Sequence, residues 1–133
     1  MLETLQVKTS KRNAMVDVTD LISRKVHESG VKSGFCILHV PHTTAAIIVN
    51  EGADPAVVED VIGALDKLIP WEAGYHHQEG NAAAHIKAIL TGGRTFVVVE
   101  NGQLVLGTWE RIFFCEFDGP RTRKIYLKII GDR

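Results

Sequence analysis

The chain of 133 residues contains few cysteines, few aromatic side chains and no marked excess of charge of either sign. Its two cysteines, Cys36 and Cys115, lie in apolar runs without CxxC spacing, which excludes a disulfide scaffold or a zinc ribbon. Fifteen basic residues against 16 acidic ones give none of the basic excess that nucleic-acid binders normally carry. The apolar runs are too short to cross a bilayer, and the first twelve residues do not have the pattern of a secretory signal. These features predict a soluble cytoplasmic protein that binds neither nucleic acid nor membrane.

The remaining composition is that of an ordinary globular domain. Apolar residues make up 45% of the chain and charged residues 23%. A domain of this size buries roughly two-thirds of the surface that its unfolded chain exposes, so it needs neither a disulfide nor a structural metal. No repeat or linker interrupts the sequence. We therefore expect one domain over residues 1–133.

Alternating polarity and apolar runs predict a chain rich in strands. The predicted strands cover residues 3–9, 15–19, 34–40, 45–50, 94–100, 103–106, 108–117 and 123–130. We expect the first two to pair across the polar turn at 10–13. Asn101-Gly102 is a strong signal for a two-residue hairpin. Several antiparallel hairpins favour the α+β class over a wound parallel sheet.

Three helices are predicted between these strands. They cover residues 20–29, 55–69 and 82–90, with Thr19, Asp54 and Asn81 as N-caps. Gly30 is placed to end the first helix, and the Gly92-Gly93 pair to end the third. The second helix has an apolar face wide enough to pack on a sheet.

Three histidines lie where strands and helices begin or end. His42 belongs to the connection between two strands, His77 to a loop, and His85 to the first turn of the third helix. No two histidines have the HxxxH spacing of one helix face, so a metal site would have to combine distant segments. Taken singly, each of these histidines is more often a solvated or hydrogen-bonded side chain than a ligand. The free N–H groups at residues 80–82 can receive a phosphate or a carboxylate.

A second group of polar residues comprises Thr43, Thr44, Asn50 and Glu51. In one interpretation they supply turn chemistry and a solvated carboxylate. In the other, the two threonines bind a substrate while Glu51 transfers protons or acts as a ligand. The residues alone favour neither.

A third group lies near the end of the chain. Trp109 and Glu110 follow Gly107-Thr108 inside the predicted strand, where glycine permits a bulge or a close backbone approach. Glu116, Asp118 and Arg121 surround a Gly119-Pro120 turn. These are either surface charges on a hairpin turn or a site in which Arg121 binds a phosphate or carboxylate through two contacts.

Three stretches together resemble the motifs of the YjbQ-like family: PHTTAAIIVNEGADP, YHHQEGNAAAHIKA and GQLVLGTWERIFFCEFDGPR. Members of that family are described as having secondary thiamine-phosphate synthase activity. The resemblance implies a β-rich α+β fold of two packed, mainly antiparallel sheets with two to three helices, assembled as a homotrimer. It also implies that His42, His77 and His85 surround a cavity able to hold a divalent metal, zinc or magnesium. Glu110 stands where the family commonly has Gln.

The resemblance implies an enzyme that forms a C–N bond between a pyrimidine methyl diphosphate and a thiazole phosphate, with release of pyrophosphate. In that hypothesis Glu51 or Glu116 handles protons, and small phosphorylated substrates contact Thr43, Thr44, Asn50, Trp109, Asp118 and Arg121. Two alternatives keep the same site. One is a zinc-dependent hydrolase of a small metabolite, because three histidines with an open position fit a zinc-activated water at least as well as a magnesium–diphosphate site. The other is a non-catalytic trimeric protein that binds a metal or ligand.

Overall fold

The computed structural model describes residues 2–132, which form eight strands and three helices. In chain order these are β1 (Leu2–Lys8), β2 (Ala14–Asp17), α1 (Thr19–Ser29), β3 (Ser33–His39), β4 (Ala45–Glu51), α2 (Pro55–Leu68), α3 (Ala82–Thr91), β5 (Arg94–Glu100), β6 (Gln103–Leu104), β7 (Glu110–Glu116) and β8 (Thr122–Gly131). The predicted α+β class is confirmed. No helix within the described residues is long and apolar enough to span a membrane.

The strands form two antiparallel sheets. A five-stranded sheet has the order β1-β8-β3-β5-β6, and a three-stranded sheet has the order β2-β7-β4. The predicted pairing of the first two strands is wrong, because β1 pairs with β8 and β2 pairs with β7. The connecting segment forms no tight hairpin. It runs between the sheets, and the Thr9 N–H donates to the Arg121 carbonyl while the Gly119 N–H donates to the Arg12 carbonyl.

The three-stranded sheet is covered on both faces. One face packs on the five-stranded sheet and α1 through the main core, which includes Ile22, Ile47 and Phe114. The other face packs on α3 through a smaller cluster that includes Ala88 and Cys115. This double covering explains why residues 112–117 of the RIFFCEF run are all buried, since a strand enclosed on both faces cannot alternate in polarity.

Two turns have the backbone geometry that their sequences predict. Asn101 and Gly102 both have positive φ, 54° and 72°, as a type I′ hairpin requires between β5 and β6. Gly30 ends α1 in the left-handed conformation with φ 73°. Thr19, by contrast, is not the N-cap of α1. Val18 holds that position, and the buried Thr19 hydroxyl accepts the Ile112 N–H at 2.7 Å, which ties α1 to β7.

Helix α2 lies less deeply than its apolar face predicts. Asp54 caps it as expected by accepting the Ala56 N–H at 2.9 Å, yet none of the helical residues is buried. A charged contact adds to its attachment, because the ammonium of Lys87 on α3 binds the Asp66 carboxylate on α2. The Lys87 side chain is 1% exposed, whereas that of Asp66 is 50% exposed. The ion pair that joins the two helices therefore has a buried ammonium group and a half-exposed carboxylate.

Candidate functional site

Several chain connections meet at one end of the three-stranded sheet and enclose a cavity of about 410 Å³. We call it the histidine cavity, and its lining includes Pro41, His42, Thr43, Thr44, His77, Glu79, Asn81, His85, Asp118, Arg121 and Arg123. These residues come from the β3–β4 connection, the segment before α3, α3 itself and the β7–β8 region. The sequence expectation that the imidazoles of residues 42, 77 and 85 come within one site agrees with this placement.

His42 is fixed by the backbone of the five-stranded sheet. Its Nε2 atom accepts the Lys124 N–H at 2.9 Å. In β8 that N–H belongs to the second residue beyond the last β3 partner, because the register ends at His39 opposite Tyr126. The His42 imidazole thus replaces the backbone carbonyl that would accept this N–H if the pairing of β3 with β8 continued. A neutral His42 that accepts through Nε2 carries its proton on Nδ1.

The surroundings of His42 favour that neutral form. Burial lowers the pKa of His42, and the positive charges of Arg123, Lys124 and Arg121 lower it further against the opposing effect of Glu116. Both desolvation and nearby cations disfavour a second proton on the ring. His42 is therefore a neutral side chain with one N–H to donate.

His77 and His85 lie side by side. Their ring centroids are 5.2 Å apart and the rings are nearly perpendicular, with an interplanar angle of 84°. Two imidazoles on one tetrahedral zinc ion would have centroids about 5 Å apart, given Zn–N bonds of about 2.0 Å. The spacing of this pair is thus compatible with a shared ion.

The predicted three-histidine metal set fits less well than the pair. Within residues 2–132 no group of three His, Cys, Asp or Glu side chains is arranged to hold a metal. His42 could serve as a third ligand only by releasing the Lys124 N–H, because a neutral imidazole has one lone pair on nitrogen to offer. The structure therefore offers two imidazole donors and a third that is already engaged.

Glu116 and Arg123 form a buried ion pair behind the histidine cavity. The side chains are 0% and 5% exposed, and Arg123 contacts both carboxylate oxygens, with Nε to Oε1 at 2.8 Å. The Thr9 hydroxyl donates to Oε1 at 2.6 Å and the Asp118 N–H to Oε2 at 3.0 Å. Arg123 also donates to the Thr44 hydroxyl at 2.9 Å. The ion pair thereby links the β7–β8 region and the β3–β4 connection, which help to build the cavity, to Thr9 directly after β1.

This environment favours a positioning role for Glu116 over the predicted role in proton transfer. Burial by itself would raise the pKa of Glu116, but the hydrogen bonds from Arg123, Thr9 and the Asp118 N–H outweigh it and hold the pKa below its usual range. A carboxylate with both oxygens occupied and no exposed surface is a poor proton carrier. Its partner Arg123 lines the cavity, so Glu116 acts on the site through that guanidinium.

Arg121 and Asp118 form the outer part of the same site. The Arg121 Nε donates to the Asp118 carbonyl at 2.8 Å and Nη2 donates to its carboxylate at 3.1 Å. These contacts hold a half-exposed guanidinium at the mouth of the cavity. The carboxylate of Asp118 also accepts from Asn81 Nδ2 at 2.8 Å. Asn81 therefore stands at the N-cap position of α3 without capping it through its side chain, contrary to the sequence prediction.

Three predicted site residues lie elsewhere. Glu51 ends β4 and Asn50 precedes it, while Trp109 is 63% exposed in the turn before β7. Glu51 pairs in register with Glu110, whereas the cavity end of the same ladder pairs Ala45 with Glu116. Six residues of strand separate the two ends by about 20 Å. Within one chain, these three residues do not join the histidine cavity.

The local contacts at that far end are structural. The Asn50 side chain accepts the Glu51 N–H at 2.7 Å. The Glu110 carboxylate accepts the Gly107 N–H at 2.7 Å and so closes the turn that presents Trp109. The oxygen of a Gln side chain could accept the same hydrogen bond. The departure from the family's common Gln therefore leaves the turn intact and adds no negative charge to the cavity.

The sequence prediction missed Arg123, Thr9 and the side-chain role of Asn81. Arg123 is in phase with Ile125 and Leu127, the inward residues of β8, and all three are buried. Thr9 similarly continues the buried alternation of Leu5 and Val7 in β1. A charged or polar residue in phase with a buried strand face needs a partner in the interior, and that pattern was available in the sequence.

The fold and the site together define a class: small α+β proteins with two stacked antiparallel sheets and a polar cavity lined by histidine and arginine. The model of the YjbQ-like UPF0047 family matches residues 3–132, and the chain belongs to that family. The UPF0047 protein YugU of Bacillus subtilis is 50% identical over 132 residues, which cover 98% of this chain and 100% of that protein. A UPF0047 protein of Methanocaldococcus jannaschii is also 50% identical, over 100% of this chain and 96% of its own.

Solved structures of the family have the same fold. A crystal structure of a yjbq/upf0047 family protein from Clostridium acetobutylicum is 48% identical and superposes with a TM-score of 0.94, covering 96% of this chain and 99% of that one. A YbjQ-like protein from Sulfolobus solfataricus is 35% identical with a TM-score of 0.95, covering 99% of this chain and 97% of that one. The expected architecture of two packed antiparallel sheets with helices is thus confirmed.

Proposed function

We propose that this chain binds a small phosphorylated metabolite in the histidine cavity. We further propose that it catalyses a transfer like that of secondary thiamine-phosphate synthases, in which a C–N bond forms and pyrophosphate leaves. The observation that carries the proposal is the lining of one cavity by three imidazoles and two guanidiniums from separate segments. Fixed cations and neutral donors around a concave site are what a phosphate group requires.

The anion would be held by Arg121, Thr43 and the start of α3. Arg121 is held in place by Asp118 and remains half exposed at the cavity. The N–H group of Ala82, which is partly exposed, has no intrahelical acceptor by helix geometry and lies at the positive end of the helix dipole. Arg123 adds positive charge, but Glu116 offsets most of it.

In the proposed reaction a ring nitrogen attacks the methylene carbon of a diphosphate ester. The C–N bond forms as the C–O bond breaks, and the electron pair leaves on the pyrophosphate oxygen. His42 would donate its Nδ1–H to that oxygen, while Arg121 binds the departing phosphates. Glu116 would position Arg123 and Thr44 without exchanging protons.

A divalent metal remains part of the proposal. His77 and His85 would hold it, with zinc favoured over magnesium by imidazole donors. The chemistry it would supply is neutralisation of phosphate charge. The contacts proposed for Arg121, Thr43 and His42 do not require the metal.

One observation supports a second candidate, a zinc-dependent hydrolase acting on a small phosphorylated metabolite. Trp109 is the one aromatic side chain predicted to contact the substrate, and so to offer a platform for its ring, but it lies at the far end of the three-stranded sheet. Hydrolysis needs no second ring and no such platform. A turnover assay with and without a thiazole phosphate acceptor separates the two reactions, because only the transferase requires the acceptor.

Phosphate binding itself is tested by titrating the purified protein with inorganic pyrophosphate in a calorimeter. Arg121→Met is expected to weaken pyrophosphate binding by about 10- to 100-fold, because charge-assisted contacts to the anion are lost. Arg24→Met, on the exposed surface of α1, is the matched control and should leave the affinity unchanged. Absence of pyrophosphate binding to the unaltered protein, or equal affinities for the unaltered protein and Arg121→Met, would overturn the proposal.

We also propose that the chain assembles as a homotrimer and works in the cytoplasm. The outer face of the five-stranded sheet exposes Ile37, Val98 and Phe96, the last at 70%, and Ile37 and Phe96 are cross-strand neighbours. A contiguous apolar patch of this kind is typical of an interface. The two cysteines are unpaired and buried, as suits a reducing compartment.

The trimer is tested by sedimentation equilibrium of the unaltered chain and of Phe96→Arg. We expect three times the chain mass of 14.7 kDa for the unaltered protein. The charged substitution on the apolar face should shift the population to monomers. Ser10→Arg, at an exposed position between β1 and β2, is the control and should stay trimeric. A monomeric unaltered protein would contradict the assembly.

A further inference from the structure

Asn81 has a buried hydrogen-bond acceptor that the folded chain leaves unused. The residue is 7% exposed and lines the histidine cavity. Its Oδ1 atom is buried and has no hydrogen-bond partner among the residues that the structure describes. Buried polar atoms are paired in the great majority of cases, so an unpaired one at a cavity wall points to a ligand.

The orientation of the Asn81 amide is determined by its other contact. Nδ2 donates to the Asp118 carboxylate at 2.8 Å, and the same oxygen accepts from Arg121. Rotating the amide by half a turn would place Oδ1 against that carboxylate, oxygen to oxygen. Asp118 therefore holds the amide with its oxygen as the unpaired atom.

Helix capping does not account for this oxygen. The Asn81 side chain makes no capping bond to α3, and the Ala84 N–H donates to the Asn81 backbone carbonyl at 3.0 Å. An asparagine at this position ordinarily accepts a first-turn N–H through its side chain. Here the amide is turned to Asp118 instead, which leaves the N–H groups of Ala82 and Ala83 without that acceptor.

We propose that Asn81 is a specificity-determining residue that accepts a hydrogen bond from a hydroxyl or uncharged amino group of the ligand. The inference rests on the proposed phosphate binding in the same cavity. The acceptor belongs to the residue directly before Ala82, whose N–H would bind the phosphate. The ligand is thus a phosphate ester with an O–H or N–H donor only a few bonds from its phosphorus.

The charges around Asn81 favour a neutral donor over an ammonium group. Arg121 and the positive end of the α3 dipole face the cavity, whereas the charge of Arg123 is largely offset by Glu116. Of the carboxylates in the lining, Asp118 is already paired with Arg121 and Glu79 is exposed to solvent. A cationic donor would be repelled by Arg121 and the helix dipole, whereas a hydroxyl or an aromatic amine would not.

Calorimetry with two probes of equal charge tests this role: glycerol 3-phosphate, which carries hydroxyl donors, and n-propyl phosphate, which does not. The unaltered protein should bind glycerol 3-phosphate at least 10-fold more tightly. Asn81→Leu, which is similar in size, should abolish this preference while changing the affinity for n-propyl phosphate less than 3-fold. Gln103→Leu, an exposed amide on β6, is the matched control and should keep the preference.

If Asn81→Leu does not fold, Asn81→Ala, which removes the amide without adding bulk, should reduce the preference in the same way. Equal affinity of the unaltered protein for both probes overturns the role of Asn81 and leaves phosphate binding intact. Failure of both probes to bind overturns the proposed function together with this inference. If both Asn81 variants keep the preference for glycerol 3-phosphate, the role given to Asn81 is also overturned.

Discussion

Glu116→Gln is expected to lower the free energy of unfolding by about 3–5 kcal/mol, because it leaves the buried guanidinium of Arg123 without a counter-charge. The substituted amide keeps the shape of the side chain, so the loss measures the charge and its hydrogen bonds. Chemical denaturation followed by circular dichroism measures the change. Lys25→Met removes exposed contacts to Glu3 and Glu28, each at 3.6 Å, and should cost less than about 1 kcal/mol.

A double substitution separates the buried charge from the packing around it. Glu116→Leu with Arg123→Met replaces both charged partners by apolar side chains of similar length. Such a pair should recover much of the stability that Glu116→Gln loses, since neither charge then remains buried alone. A loss below about 1 kcal/mol for Glu116→Gln would contradict the role given to the ion pair.

The contribution of the same ion pair to the free energy of unfolding depends on pH. Because the folded-state pKa of Glu116 lies below the usual 4.5, its stabilising contribution is complete above that value and is lost as the pH falls through the folded-state pKa. The difference in unfolding free energy between the unaltered protein and Glu116→Gln should therefore be constant near neutral pH and shrink in acid. A difference that grows on acidification would contradict the assigned direction of the pKa.

Phe114→Ala is expected to cost about 3–5 kcal/mol of unfolding free energy, because it opens a cavity in the main core. Phe114 is 0% exposed and lies in the central strand of the three-stranded sheet, opposite Val16 on β2 and Ile47 on β4. Strand β7 is paired on both sides, by β2 and β4, so its backbone has little room to move into the space. Denaturant unfolding of the variant measures the loss.

Leu68→Ala is the matched control for a core truncation. Leu68 is 71% exposed at the end of α2, so its removal should change the unfolding free energy by less than about 0.5 kcal/mol. Equal losses of unfolding free energy in Phe114→Ala and Leu68→Ala would show that the space between the sheets is not the main core. The loss of unfolding free energy in Phe114→Leu should lie between those of Phe114→Ala and Leu68→Ala, because the leucine removes less volume from the core.

The sequence predicted the individual elements better than their partners. Strand alternation, the cap at Asp54 and the turn at Asn101-Gly102 are local features, and each was found where expected. Pairing depends on contacts distant in sequence. The turn-like residues 10–13 indicated a hairpin, yet the backbones of Thr9 and Arg12 bond to those of Arg121 and Gly119, which are more than 100 residues away in sequence.

The histidine cavity was expected from the resemblance of three stretches to the YjbQ-like family, because the spacing of the histidines alone is a weak signal for a shared site. His42, His77 and His85 share one cavity, as do Thr43, Asp118 and Arg121. Glu51 was assigned to the same site although it ends the strand that Thr44 precedes. Strand length alone places those two residues about 20 Å apart, so their separation was predictable from the rise per residue. The unpaired oxygen of Asn81 was not predictable from the sequence, because the orientation of the amide depends on Asp118, 37 residues later.

Strand β8 is the last strand of the chain, yet it lies inside the five-stranded sheet between β1 and β3. On a translating ribosome, β1 is made before the other strands described and must wait for its neighbour until residues 122–131 have been synthesised. The backbone of Leu2 pairs opposite Lys128, so this ladder closes a loop of almost the whole chain. Nascent chains that stop before residue 122 would thus expose the edges of both β1 and β3, and would be prone to aggregate.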